Sequence, residues 1–294
     1  MSSPAPVICG VDFSPESRRA LVCAAGLAER LRCPLHLVSA IEPLLAEAAR
    51  LRNQLPVFTE RIVGDLREFA GILPLPADRV SFEATNGEPV PVLLAAAANA
   101  GARMIVVGTR GRGQAARLVL GSTTLRLLRA TDRPVLVTDW DDRETAPESE
   151  IGGAISRIVC GVDFSEGSRA AVETATSLAA DIGATIRLVH AVERAAVPVG
   201  WDSLTRDVDA DRLADAKARL TELAHQVTLP ESLAGRVTAN ARLGSPAEVL
   251  AEETQGDPRA IVAVGLRGAS LHRPGSTAIR VVSATQVPVL AVPQ

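Results

Sequence analysis

Hydrophobic residues along the chain fall into two alternating patterns. Runs of four to seven residues dominated by Val, Ile and Leu are separated by longer stretches with apolar side chains three and four apart. The first pattern suits a strand buried on both faces, the second an amphipathic helix. In the first half the expected strands are Val7–Val11, Leu35–Ile41, Arg79–Thr85, Met104–Val107 and Pro134–Val137. The expected helices are Pro15–Leu31, Leu44–Leu73 with an interruption at Pro56, Val90–Ala100 and Ser122–Ala130. Ser14 reads as the N-cap of the first helix, with Pro15 at its first position. Ile62, Val63, Leu66, Phe69 and Leu73 share one face of the second. Strand and helix in repeated alternation predict a parallel sheet covered on both faces, a doubly wound α/β fold. Its ligands belong at the carboxyl ends of the strands, where the strand order reverses.

The pattern occurs twice. CGVDFS at Cys9–Ser14 returns unchanged at Cys160–Ser165, and LHLVSAIE at Leu35–Glu42 returns as IRLVHAVE at Ile186–Glu193, both at an offset of 151. Gly87-Glu88-Pro89 aligns with Gly244-Ser245-Pro246 at an offset of 157, and Pro134–Val137 with Pro288–Ala291 at 154. Repeat two therefore gains six residues in its middle and loses three near its end. Two domains follow, residues 1–138 and 157–294, joined by an acidic, Pro- and Gly-containing linker over residues 139–156. The linker's acids, Asp139, Asp141, Asp142 and Glu144, read as a solvated run rather than a metal site.

Composition narrows the function. Of 294 residues, 47% are hydrophobic and 2% aromatic, which fits cores of small aliphatic side chains. A net charge of −3 lacks the basic excess of a nucleic-acid binder. No apolar run is long enough for a membrane span and the N-terminus has no secretory pattern, so the cytoplasm is expected. Cys9, Cys23, Cys33 and Cys160 form no C-x-x-C pair, and His36, His190, His225 and His272 have no ligand spacing, so no metal site is expected.

The candidate chemistry lies in Met104–Thr124, MIVVGTRGRGQAARLVLGSTT. A β-branched run ends at Gly108, and Gly111, Gly113 and Gly121 follow before Ser122 and Thr123 open a helix. Glycine permits close backbone approach, and free N–H groups at a helix N-terminus favour an anion such as phosphate. Arg110, Arg112 and Arg117 add positive charge. Gly111-Arg-Gly113-Gln-Ala-Ala116 fits a loose dinucleotide pattern, with Asp132 further on, but it follows the fourth strand rather than the first. Neither a Walker motif nor a G-x-S-x-G elbow is present.

Gly108-x-x-Gly111, nine residues, then Gly121-Ser122 resembles the G-2x-G-9x-G-[S/T] signature of ATP-binding universal stress proteins. The V-D-F-S turn at Asp12 and the terminal PVLV strand resemble that family too, across both repeats. The resemblance implies a tandem member with two Rossmann-like, adenine nucleotide α-hydrolase-like domains. Each would carry a five-stranded, mainly parallel sheet and about four helices. It also implies an ATP-binding stress-response regulator, with or without magnesium. Asp12 would meet the ribose or the adenine edge, and the backbone around Val11 and Ala40 would meet adenine. Gly108, Gly111 and Gly121 would bring the backbone to the phosphates, and Ser122 and Thr123 would bond them. Ala40 stands where the family usually has valine, and a methylene lost from a buried contact is worth about 0.8 kcal/mol. Repeat two keeps Asp163, Gly265, Gly268, Gly275, Ser276 and Thr277, but six residues rather than nine separate Gly268 from Gly275. A degenerate second site there, or none, both stay open.

Binding rather than turnover is expected, since no general base or positioned nucleophile stands out; slow hydrolysis or autophosphorylation at Ser122 stays open. The family's pairing through its last strand implies an internal pseudo-dimer of Pro134–Val137 with Pro288–Ala291. A homodimer and an unidentified protein partner remain alternatives. So does a nucleotide-independent interaction scaffold.

Overall fold

Each repeat begins with a strand of small aliphatic residues that is buried along its length, because helices cover both faces of the sheet. The computed structural model describes residues 4–71, 73, 75–109, 120–138, 155–194, 202–227, 235–268 and 276–294. The chain divides into two units, Met1–Ala154 and Ile155–Gln294. Of the expected linker, residues 139–154 lie outside the described residues. Ile155 is buried, and Ser156 exchanges backbone hydrogen bonds with Arg259 and Thr185 of the second unit.

Unit 1 runs β1 (Val7–Gly10), α1 (Pro15–Arg30), β2 (Leu35–Ile41), α2 (Pro43–Leu51), α3 (Leu55–Phe69), β3 (Val80–Asn86), α4 (Pro89–Asn99), β4 (Met104–Gly108), α5 (Ser122–Ala130) and β5 (Val135–Thr138). Its strands lie in the order β3-β2-β1-β4-β5, and every pair is parallel. β1 is central: Ile8 pairs with His36 on one side and Ile105 on the other, and Cys9 with Leu37 and Val106. α1 packs on β1, β4 and β5 through Leu21, Ala24, Leu27 and Ala28. α3 covers β3 and β2, while α4 lies against β2 and β1.

Unit 2 repeats the plan with β6 (Arg157–Gly161), α6 (Glu166–Ile182), β7 (Thr185–Val192), α7 (Asp202–Gln226), β8 (Val237–Leu243), α8 (Pro246–Thr254), β9 (Ala260–Gly265), α9 (Ser276–Ala284) and β10 (Val289–Val292). The strand order is β8-β7-β6-β9-β10, again parallel. Both units are thus doubly wound α/β sheets, as the alternation predicts. In each, the order reverses between the first and fourth strands.

The helical stretch expected at Leu44–Leu73 is two helices, and the interruption expected at Pro56 is corrected to a position before it. The break falls at Arg52–Gln54, where Asn53 takes the left-handed conformation at φ 53, and Pro56 sits inside the first turn of α3. A proline there costs nothing, because first-turn N–H groups have no intrahelical acceptor.

Ser14 caps α1 by accepting the Ser17 amide at 3.1 Å, and Ser165 caps α6 through the Ser168 amide at 3.2 Å. Ser14→Ala should cost about 1 kcal/mol of stability in urea unfolding; no loss would contradict the capping role.

Candidate functional site

The chain leaves β1 through Val11-Asp12-Phe13-Ser14. Phe13 has φ 63 and its repeat Phe164 φ 62, a left-handed conformation that costs a non-glycine residue about 1–3 kcal/mol. The Asp12 carboxylate holds the turn by accepting the Ser14 amide at 3.0 Å and the Ser14 hydroxyl through the same Oδ1. Asp12 therefore shapes the turn as well as lining the cleft beside it. Phe13 stacks edge-on against Phe69 of α3, with ring centroids 5.5 Å apart, and the Arg18 guanidinium lies 4.3 Å above the Phe69 ring. The Val11 amide donates to the Val38 carbonyl at 2.9 Å.

On the other side of the switch point β4 ends at Gly108. A Cβ there would lie 2.9–3.0 Å from Cβ, C and O of Glu16 in the first turn of α1. The space that glycine spares at this position faces α1, which adds a packing reason to the phosphate role expected of it. Gly111 lies outside the described residues, as do Arg110, Arg112, Gly113 and Arg117. At the far end of the loop Gly121 is the N-cap of α5, with φ −59 and ψ 145 and no side-chain cap bond. The Gly121 amide donates to the Thr109 carbonyl at 2.8 Å, and the Thr124 hydroxyl donates to the Gly108 carbonyl at 2.8 Å. These two bonds tie the start of α5 to the end of β4.

Between the two walls is a cavity of about 1120 Å³ lined by Val11, Asp12, Ala40, Gly108, Gly121, Ser122 and Thr123 together with the inner face of α3. Every described residue singled out for the first site meets this one space. Sequence reasoning did not find the α3 wall of Phe58, Arg61, Ile62, Asp65, Glu68 and Phe69. Nothing in its spacing distinguishes a cleft wall from an ordinary half-buried helix. The described lining carries four carboxylates, Asp12, Glu42, Asp65 and Glu68, and two guanidiniums, Arg18 and Arg61.

Unit 2 repeats this turn in different surroundings. Asp163 accepts the Ser165 amide at 3.0 Å and the Ser165 hydroxyl. Gly265 presses against Gly167 so closely that a Cβ would lie 2.5 Å from its backbone, and a Cβ on Gly167 would lie 1.8 Å from the Arg267 carbonyl oxygen. Gly268 stands beside Asp163, whose Oδ2 lies 2.8 Å from where a Cβ on this glycine would stand. His190, at the repeat position of Ser39, donates from Nδ1 to the Val162 carbonyl at 2.6 Å and packs on Phe164 with ring centroids 4.8 Å apart. Thr277 is exposed in the first turn of α9. Gly275 and the Ser276 side chain lie outside the described residues. Unit 2 also has a cavity of about 900 Å³ between α6 and α7, whose lining includes none of Asp163, Gly265, Gly268 and Thr277.

All four cysteines are free and buried. Burial pushes the Cys23 and Cys160 thiols up to about 12, so neither supplies a thiolate near neutral pH. No group of three or more His, Cys, Asp or Glu side chains among the described residues is placed to hold a metal ion. No described helix is long and apolar enough to cross a membrane.

Two doubly wound units, each with its special turns at the carboxyl ends of the first and fourth strands, define a tandem Rossmann-like α/β protein. The model of the Universal stress protein family matches residues 5–139 and again residues 154–293, so the chain belongs to that family as a tandem-domain member. A universal stress protein of Mycolicibacterium smegmatis is 27% identical over 198 residues, and the match covers 63% of this chain and 63% of that relative. A solved universal stress protein of Archaeoglobus fulgidus shares the fold at 18% identity and a TM-score of 0.68, covering 98% of each chain. A universal stress protein solved in complex with cAMP aligns with 47% of this chain, and 98% of its own, at 24% identity and a TM-score of 0.36.

Gly108→Ala should destabilise the protein by about 1–3 kcal/mol with no nucleotide present, because the added methyl meets the α1 backbone. An unchanged melting temperature would contradict the packing role.

Proposed function

We propose that this chain is a cytoplasmic stress-response regulator whose first unit holds one adenine nucleotide, ATP with or without magnesium. The observation that carries the reading is the single cleft in which the glycine-capped N-terminus of α5 faces Asp12 and Ala40. The first amides of α5 have no side-chain cap, and the helix dipole makes that end favourable for phosphate. Ser122 and Thr123 add hydroxyl donors. Adenine would lie toward Ala40 and the carbonyl edge of Val11, whose amide is already taken by Val38. Asp12, fixed in its turn by Ser14, would accept a ribose hydroxyl. The acidic lining favours an arrangement in which phosphate stays at α5, away from Asp65 and Glu68, and magnesium offsets part of the repulsion.

Binding rather than rapid turnover is proposed. The one carboxylate of the β1 turn is engaged by Ser14, which disfavours it as a general base. In unit 2 the His190 ring takes up the Val162 carbonyl and Gly268 stands beside Asp163, so nucleotide at Asp163, Gly265, Gly268, Gly275, Ser276 and Thr277 is proposed to be weak or absent. That difference between the units favours a second reading, in which the pair of units is an interaction scaffold that uses no nucleotide.

Isothermal titration with ATP and magnesium should give one site per chain. Gly121→Val, allowed by the backbone angles at that position, should weaken binding roughly a hundredfold, about 3 kcal/mol, while circular dichroism stays unchanged. No heat from the unaltered protein would favour the scaffold.

A further inference from the structure

A polar constellation stands on β2 and β3 outside the cleft of unit 1. His36 Nδ1 lies 2.7 Å from the Ser81 hydroxyl oxygen, and His36 Nε2 lies 3.0 Å from Oε2 of Glu83. The other oxygen of Glu83 accepts the Thr85 hydroxyl at 2.7 Å. His36 pairs with Ser81 in the register of β2 and β3, and a strand repeats its face every second residue, so all four side chains share one face. Phe82, on the opposite face, meets the Arg67 guanidinium of α3 at 5.7 Å. Ser81 is exposed, and His36 and Glu83 are half-buried. None of the three is among the described residues that line the cleft.

Burial raises the Glu83 carboxyl, but hydrogen bonds from Thr85 and His36 outweigh it and hold the group below its ordinary range. Glu83 is then a carboxylate at neutral pH and can only accept, so Nε2 carries the imidazole proton and Nδ1 turns its lone pair to the Ser81 O–H. A serine hydroxyl on one nitrogen and an orienting acid on the other is the arrangement that activates a nucleophile. Unit 2 uses the same positions structurally. Arg187, Thr238 and Asn240 replace His36, Ser81 and Glu83 there; Arg187 Nε lies 2.7 Å from Glu253 of α8, and Asn240 donates to that carboxylate at 2.8 Å. Unit 1 has Ala96 in place of Glu253, and its polar chain ends on an exposed hydroxyl instead. β3 is also an edge strand, and alternate residues of an edge strand turn their N–H away from the sheet. One of the neighbouring Ser81 and Phe82 amides therefore points outward, where it can hold an oxyanion.

We propose that Ser81, His36 and Glu83 form a hydrolytic site for carboxylic esters with small acyl groups. An open sheet edge suits a small, accessible carbonyl. Ser81 Oγ bonds to the ester carbonyl carbon as its proton passes to His36 Nδ1. The bond from that carbon to the alcohol oxygen breaks, and His36 returns the proton to the leaving oxygen. Water then attacks the acyl-serine, giving a proton to His36; the acid departs and Ser81 Oγ takes the proton back. Glu83 is a positioning residue that fixes the ring. The proposal does not depend on nucleotide binding.

Hydrolysis of 4-nitrophenyl acetate by the full chain, together with labelling by a fluorophosphonate and peptide mapping, tests it. The phosphonate should be found on Ser81. Ser81→Ala should abolish labelling and lower hydrolysis about a hundredfold or more, with the melting temperature unchanged because the side chain is exposed. His36→Gln should lower kcat by a similar factor and leave KM nearly unchanged. Glu83→Gln should lower kcat, and Glu83→Asp should recover part of the loss. A parent chain that neither hydrolyses the ester nor takes the label overturns the proposal. So does a label on any other residue, a Ser81→Ala chain as active as the parent, or a Glu83→Asp chain no better than Glu83→Gln.

Discussion

The architecture of each unit depends on one close backbone approach, the end of the fourth strand lying against the first turn of the first helix. Gly108 meets Glu16 in unit 1, and Gly265 meets Gly167 in unit 2. No side chain larger than hydrogen fits at the strand end, and interiors packed to crystal-like density have little room to yield. The contact fixes where the loop after the strand departs. It also sets the distance between that loop and the Asp-Phe-Ser turn, where Asp12 or Asp163 braces a strained phenylalanine and the following serine caps the helix. The cleft is the space left between these two fixed turns.

From that common frame the units diverge through few residues. Unit 1 keeps Glu16 and Ser39 at the positions where unit 2 has Gly167 and His190. With glycine at 167, the Arg267 backbone comes down onto α6 and Gly268 stands beside Asp163. With histidine at 190, a ring takes up the carbonyl of Val162, the counterpart of the Val11 edge. Arg219 lies 3.9 Å above Phe164, adding a cation–π contact to the same cluster. Satisfying its own polar groups in this way leaves unit 2 with a cavity in a different place, between α6 and α7 and away from Asp163 and the described loop glycines. Duplication supplied two similar scaffolds, and the proposed function rests on the cleft of unit 1.

Much of the fold was legible because it is written in the strongest local signals. Buried parallel strands are short β-branched runs, and Ser14 and Ser165 stand at the caps with the spacing a cap requires. Boundaries moved by about one residue, as at β1 and β5. Pro56 misled because proline both breaks helices and begins them, and only the backbone distinguishes the two. The site was legible as a list of residues, but not as a set of jobs. Glycine spacing cannot say whether the missing Cβ of Gly108 faces a phosphate or a helix. The change from Ser39 to His190 is plain in the repeat, yet only the fold turns that ring onto Val162. The wall formed by α3 depends on how that helix is rotated about its axis. Packing against the rest of the unit decides that rotation.

The central claim is the proposal that the cleft of unit 1 holds one adenine nucleotide and that the corresponding turns of unit 2 hold none. Chromatography of the small molecules released on denaturing the purified chain tests it most directly. The account predicts one adenine nucleotide per chain at most, retained through purification by the parent and lost when Gly121 is replaced by a bulky residue. Two equivalents per chain, or the same nucleotide content in the Gly121 variant, would contradict it.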